Sequence, residues 1–305
     1  MAKIQYKEFA FAPETLKIIG IADAIVSQYQ AQGFDLTLRQ LYYQFVAKGF
    51  IPNKQAWYTK LQGIVNDARL AGLLDWDAIV DRTRNLMSLQ HWGSPSDPVR
   101  MLAHSYHEDL WADQRYRVEV WIEKDALAGV LDSVCPQLDV PYFSCRGYTS
   151  QSEMWVASQR IVQRAQTQGQ GTIILHMGDH DPSGIDMTRD IKDRLKLFTE
   201  KDFPGDPIVK VKRIALTMKQ IERYHPPPNP VKVTDSRFKA YQARYGDSSW
   251  ELDALEPAVL VRLVNRWVGK YMDPVKMEEG LKRQEAGRRQ LKAVSRNWEK
   301  ALSVC

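Results

Sequence analysis

The chain is predicted to be α/β, with a helical N-terminal unit followed by a unit built on a mainly parallel sheet. Three observations carry that expectation. Apolar residues recur at helical spacing through the first part of the chain, strand-like runs alternate with helix-like segments after residue 112, and a stretch mixing Gly, Ser and Pro separates the two regimes. With 305 residues the chain can bury one large core or two modest ones. The division expected is 1–100 and 112–305.

Taken in order, Leu16, Ile19, Val26 and Tyr29 mark an amphipathic helix over about 14–32, ended by Gly33. The stretch LTLRQLYYQFVAKGF, residues 36–50, begins a second helix at once. Thr37 with Gln40 three residues later is a capping box, and Gly49 is a terminator. After FIPN, Asn53 is expected to cap a third helix from Lys54 to about Ala71, with Gly72 past its end. Helix, short turn and longer helix resemble a helix-turn-helix, and WDAIVDRTR, residues 76–84, supplies a candidate wing strand. Many helical domains share this layout, so DNA binding and a plain helical unit both stand at this point.

HWGSPSDPVRMLAHSYHEDLW, residues 91–111, is the expected boundary. Beyond it, RVEVWIE (117–123), VPYF (140–143), GTIILHMGD (171–179) and PIVKVKRIAL (207–216) read as strands, with helix-like segments between successive ones. YHPPPNPVKV cannot hold a regular helix and is expected to be an extended surface loop. From about Pro274 to the end, Met277, Leu281, Leu291, Trp298 and Leu302 among many Lys and Arg read as an amphipathic packing or dimer helix.

Composition narrows the function classes. Lys plus Arg exceeds Asp plus Glu by 42 − 37 = 5, and a pI near 8.9 permits a polyanion partner without requiring one. Cys135, Cys145 and Cys305 are too few and too irregular for a disulfide framework or a zinc cage, which implies a reducing, intracellular setting. The start has no signal-peptide layout, and no run approaches the roughly 18 apolar residues of a membrane span. A soluble cytoplasmic protein with no membrane partner is expected.

Glu123 closes the first strand, and Asp179 and Asp181 close the third, in WIEKDAL and MGDHDPSGIDM. The carboxyl ends of parallel strands form the ligand crevice of such sheets. Clustered hard oxygens without Cys or His at metal spacing favour Mg²⁺ or Mn²⁺ over zinc. The structural alternative has Asp181 capping the next helix, with Pro182 at its first position, and Glu123 as a solvated strand end. His180, between the two aspartates, reads as a neighbour rather than a ligand.

In the second helix, Leu38, Leu41, Tyr42 and Phe45 fall at i, i+3, i+4 and i+7, so Tyr42 points inward. Tyr43 lies roughly 140° from Leu38 and Arg39 roughly 100°, at ~100° per residue, so the two share a face away from the stripe. Tyr43 is the expected available hydroxyl. Lys54, Lys60 and Arg69 on the third helix are candidate DNA backbone contacts. Lys124 reads either as a phosphate contact or as an ordinary exposed lysine.

A strand ending in Glu-Lys, then a strand ending in Asp-x-Asp-Pro-x-Gly, resembles the Toprim fold. With the upstream Arg-x-Leu-Tyr-Tyr helix, the chain is similar from about Phe34 to Asp273 to the A subunit of topoisomerase VI and the meiotic double-strand-break transesterase. WELDALEP is similar to a Glu-x-x-Ala-Leu segment late in that family. The resemblance implies a winged-helix domain over 1–100 bearing a nucleophilic tyrosine, Tyr43, followed by a Toprim-like domain over 112–305. It implies that Arg39 assists at the phosphate and that Glu123, Asp179 and Asp181 hold Mg²⁺. The reaction implied is cleavage of double-stranded DNA by a homodimer, through a 5′-phosphotyrosyl link, in association with the nucleoid. The chain is short for that family and has no Walker-type phosphate loop, which leaves any ATPase to a separate subunit. Two rival functions remain: a Toprim nuclease that cuts by water attack, and a DNA-binding module without chemistry.

Overall fold

The computed structural model describes residues 3–80, 89, 91–94 and 96–296. Its first three helices are α1 (Pro13–Gln30), α2 (Leu38–Ala47) and α3 (Gln55–Leu70), and they close on one another through Ile19, Val26, Leu41, Phe45, Leu61 and Val65. The capping box at α2 forms in both directions: the Gln40 amide donates to Thr37 Oγ1, and the Thr37 amide donates to Gln40 Oε1 at 2.8 Å. Asn53 does not cap α3. Lys54 takes the cap position without a side-chain hydrogen bond, because the Asn53 side chain is engaged elsewhere, accepting from Tyr42 and donating to Asn229.

In the candidate wing, Ile79 bridges in parallel to Leu36. Residues 81–84 of that segment lie outside the described residues. The boundary predicted over 91–111 contains a helix, α4 (Ser96–Ser105), which packs against α11 (Pro274–Arg296). Its Ser-Asp-Pro start reads as loop in the sequence, yet proline is tolerated in a helix's first turn, where amides have no intrahelical acceptor. Asp97 accepts from the Ser94 amide just ahead of that turn.

The later part is α/β. Strands β1 (Tyr116–Ile122), β2 (Tyr142–Ser144), β3 (Gly171–Met177) and β4 (Val209–Ala215) form one parallel sheet in the order β2-β1-β3-β4. The crossovers carry α5 (Ala128–Val134), α6 (Gln151–Gln168) and α7 (Pro182–Asp202). One face buries Val118, Val120 and Ile122 against α5 and against Leu260 and Val264 of α10 (Pro257–Val268). The other buries Trp121 and Ile174 against Met154, Ile161, Ile191 and Leu195 of α6 and α7. Burial on both faces is why the central strands β1 and β3 read as mostly apolar runs.

After β4 come α8 (Met218–Tyr224), β5 (Asn229–Pro230), α9 (Phe238–Tyr245) and β6 (Ser248–Ser249), β5 and β6 pairing antiparallel. The proline-rich segment is therefore extended, with one short pairing. In α11, Met277 is buried and Leu281 exposed, while Trp298 and Leu302 lie outside the described residues. No helix among the described residues is long and apolar enough to cross a membrane.

The segment 251–254 brings the halves together at the carboxyl end of the sheet. His180, just past β3, exchanges backbone hydrogen bonds with Trp250 at 2.8 and 3.0 Å, which lays residues 251–254 across the strand ends. Ala254 at the end of that segment is buried in the core of the N-terminal helices.

Candidate active site

The register of β1 on β3 pairs Ile122 with Met177, so Glu123 and Asp179 emerge side by side. Glu123 is 8% exposed and its Oε2 accepts from the Asp179 amide at 2.9 Å. It is a buried hydrogen-bonded acid, not a solvated strand end. Gly178 permits this approach, since a Cβ there would lie 2.8 Å from Glu123 Oε2. Asp181 is the N-cap of α7, accepting from the Gly184 amide at 2.6 Å and from the Ser183 hydroxyl, with Pro182 at the first helical position. A Cβ on Gly184 would run into the Asp179 carbonyl, so this turn needs glycine.

Beneath the turn, Arg213 of β4 donates to the carbonyls of Gly178, Asp179 and Gly184 and to that of Leu216. Burial works against its charge, and Glu123, Asp179 and Asp181 support it. Arg213 was not among the residues singled out from sequence. A signal for it exists: in VKVKRIA it shares the inward phase of Val209 and Val211, while Lys210 and Lys212 take the outward one.

The compact acidic group is a different set from the one predicted. Carboxylate oxygens of Asp179, Glu251 and Asp253 lie within 4.8 Å of one another. Of the three predicted ligands only Asp179 belongs to it; Glu123 and Asp181 flank it, each committed to a backbone amide. Glu251 and Asp253 come from WELDALEP, whose resemblance was visible while its ligand geometry was not. The amide of Leu252 between them donates to Asp179 Oδ1 at 2.7 Å, tying the segment to β3.

The Lys124 ammonium sits among these acids, 2.9 Å from Asp179 Oδ2 and paired with both Glu251 and Asp253. It is neither an exposed lysine nor free for a phosphate. Arg39 reaches the same group from α2, with Nε 3.0 Å from Asp253 Oδ2 and its guanidinium 3.5 Å from Glu251. Burial pushes the Asp179 carboxyl well above the usual range, against the pull of Lys124. Burial likewise raises Glu123. At Glu251 burial is outweighed by the Lys124 charge, and the carboxyl falls below its ordinary value. Lys124 in turn is held above the usual lysine range, because Asp253, Asp179 and Glu251 overcome its desolvation.

Tyr42 points inward as its phase predicts, 4% exposed, with its hydroxyl 3.0 Å from Asn53 Oδ1 and 3.2 Å from the Lys54 carbonyl. Tyr43 departs from expectation. It is only 7% exposed, because the α2 face opposite the stripe is met by the 251–254 segment, not by water. The Arg39 guanidinium lies 5.8 Å from its ring centre. Burial, then Glu251 and Asp253, push the Tyr43 phenol up to about 12, against Lys124 and Arg39. A cavity of about 180 Å³ lined by Arg39, Tyr42, Tyr43, Asn53, Gln55 and Tyr58 opens beside it.

Lys54 and Lys60 are exposed on α3's side, Lys60 4.6 Å above the Trp57 ring. Arg69 is used internally: it donates to the Trp76 and Ile79 carbonyls and stacks on Trp76, fastening α3 to the segment after it. His180 Nδ1 lies 2.8 Å from the Tyr241 hydroxyl, and burial draws the ring's pKa down to about 4, so it stays neutral.

No protein-family model and no curated protein matches this chain.

Proposed function

We propose that the chain cleaves double-stranded DNA by tyrosine transesterification, as the resemblance to the topoisomerase VI A subunit implies. The N-terminal helices would act as the winged-helix unit and the sheet as the Toprim-like unit. The observation that carries the reading is one ion network in which Arg39 beside Tyr43 joins Lys124, Asp179, Glu251 and Asp253 at the carboxyl end of a parallel sheet. Elements from opposite ends of the chain meet there around a phenol, three carboxylates and two cations.

In this reading Arg39 holds a non-bridging phosphate oxygen and favours the phenolate of Tyr43, whose ionisation burial otherwise opposes. The Tyr43 oxygen attacks phosphorus and the bond to the 3′ oxygen breaks. The phenolic proton passes to solvent, and the leaving oxygen takes up a proton as a free 3′ hydroxyl, with the 5′ phosphate left on the tyrosine. The donor set of Asp179, Glu251 and Asp253 is all hard oxygen and already gathers a positive charge, so it fits Mg²⁺ or Mn²⁺, which would neutralise charge on the phosphate and the leaving oxygen. With such an ion bound, Lys124 would give way to it or share the acids with it. Glu123 and Asp181, each bonded to a backbone amide, hold the turn's shape. Lys54 and Lys60 are the backbone contacts.

A duplex has two strands and each chain has one Tyr43, so a double-strand break calls for a homodimer. Incubation with supercoiled plasmid and Mg²⁺, followed by denaturing gels, tests the reading. A covalent protein–DNA adduct is expected. Cuts without adduct would assign water attack, the reading favoured by the near-complete cover over Tyr43, and retardation alone would assign a binding module.

A further inference from the structure

We propose that a second cleft, at the seam between α2, α8 and α10, holds DNA backbone phosphates next to the reacting one; this rests on the DNA-cleaving reading. The cleft measures about 390 Å³, larger than the cavity at Tyr43, and its polar lining includes Gln44, Lys48, Arg223, His225, Glu256 and Arg262. Lys48, Arg223 and Arg262 are exposed, and among the described residues no carboxylate pairs with any of them. That sets them apart from Lys124, Arg69 and Arg213, each of which is consumed inside the fold, and from Arg39, which is paired with Asp253. Unpaired cations converging on a concave surface attract a polyanion and raise its local concentration.

Two further features fit a phosphate track. Helix α10, 12 residues long, starts at this cleft without a side-chain cap, which adds the positive end of its dipole. The single opposing charge in the lining is Glu256, at that helix's N-cap. Lys48 lies five residues after Tyr43, an axial rise of ~7.5 Å at ~1.5 Å per residue. Along one DNA strand that is about two nucleotides at ~3.4 Å each. A strand whose phosphate meets Tyr43 and that runs along α2 would reach Lys48 within that span, with Arg223 and Arg262 lining the same cleft. Contacts of this kind add affinity without reading sequence.

The test is fluorescence anisotropy of a labelled duplex with the full chain over a salt series. Replacing Lys48, Arg223 and Arg262 together by Gln is expected to flatten the slope of log affinity against log salt by up to ~2.7, at ~0.9 per lost phosphate contact. Each single replacement should flatten it by ~0.9, which keeps the test open if the triple variant folds poorly. Glu256→Gln should tighten binding, and replacing the exposed Lys192, Lys196 and Lys201 of α7 by Gln should leave the slope within error. A folded triple variant with the wild-type slope overturns the cleft while leaving DNA cleavage standing. A wild-type chain that binds no duplex overturns both.

Discussion

The strand-end acids and the loop acids of this molecule are equally acidic and nearly adjacent, yet they are held by different partners. Glu123 and Asp181, at the ends of β1 and β3, each spend an oxygen on a backbone amide. Glu251 and Asp253, on the segment that crosses those ends, are balanced by the cations of Lys124 and Arg39, and Glu251 also shares a side-chain hydrogen bond with Asp179. Asp179 does both, accepting from the Leu252 amide and pairing with Lys124. An acid that satisfies backbone shapes the site, whereas one balanced chiefly by cationic side chains can exchange that cation for a metal ion.

The largest effect expected from this contrast is at the residue common to both groups. Asp179→Asn should abolish Mg²⁺-dependent cleavage while duplex binding persists, since binding depends on cations and phosphates. Full cleavage by that variant would remove metal chemistry from the cluster altogether. Next comes Lys124→Gln, which leaves Asp179, Glu251 and Asp253 without their central charge. Breaking a buried ion pair by deleting one partner costs about 3–5 kcal/mol. The metal-free variant should melt well below wild type and regain stability on adding Mg²⁺ or Mn²⁺. A loss that no divalent ion restores would mean that the acids bind lysine alone.

Smaller and opposite effects should separate the two groups directly. Asp253→Asn is expected to weaken Mn²⁺ binding, followed by electron paramagnetic resonance, by at least ~10-fold. Asp181→Ala should cost about 1 kcal/mol of stability through the lost cap, with Mn²⁺ affinity nearly intact. The reverse pattern would return the metal to the strand-end acids.

How much of this was legible in the sequence follows from which interactions are local. The parallel sheet was legible because its central strands β1 and β3, buried on both faces, are mostly apolar, and the start of α2 because a capping box is closed within four residues. The helix inside the expected boundary was hidden by a proline that is harmless in a first turn. Helical phase predicts Tyr43 on the face away from the stripe, but phase says nothing about what covers that face; Tyr43 is buried in one cluster with Leu41, Phe45 and Ala254. Glu251 and Asp253 follow no long strand, and their position depends on the backbone exchange between His180 and Trp250. Lys124 follows Glu123 in sequence, yet its side chain turns toward the crossing segment, which only the tertiary fold determines.

The central claim, that Tyr43 is the nucleophile, is tested most directly by comparing adjacent tyrosines. Wild type, Tyr42→Phe and Tyr43→Phe are each incubated with radiolabelled supercoiled plasmid and Mg²⁺, stopped with detergent and run on denaturing gels. Wild type and Tyr42→Phe should carry label covalently attached to protein. Tyr43→Phe should carry none, although it loses only a hydroxyl, and its melting temperature should stay close to wild type. Label retained on Tyr43→Phe, or lost only in Tyr42→Phe, would contradict the account.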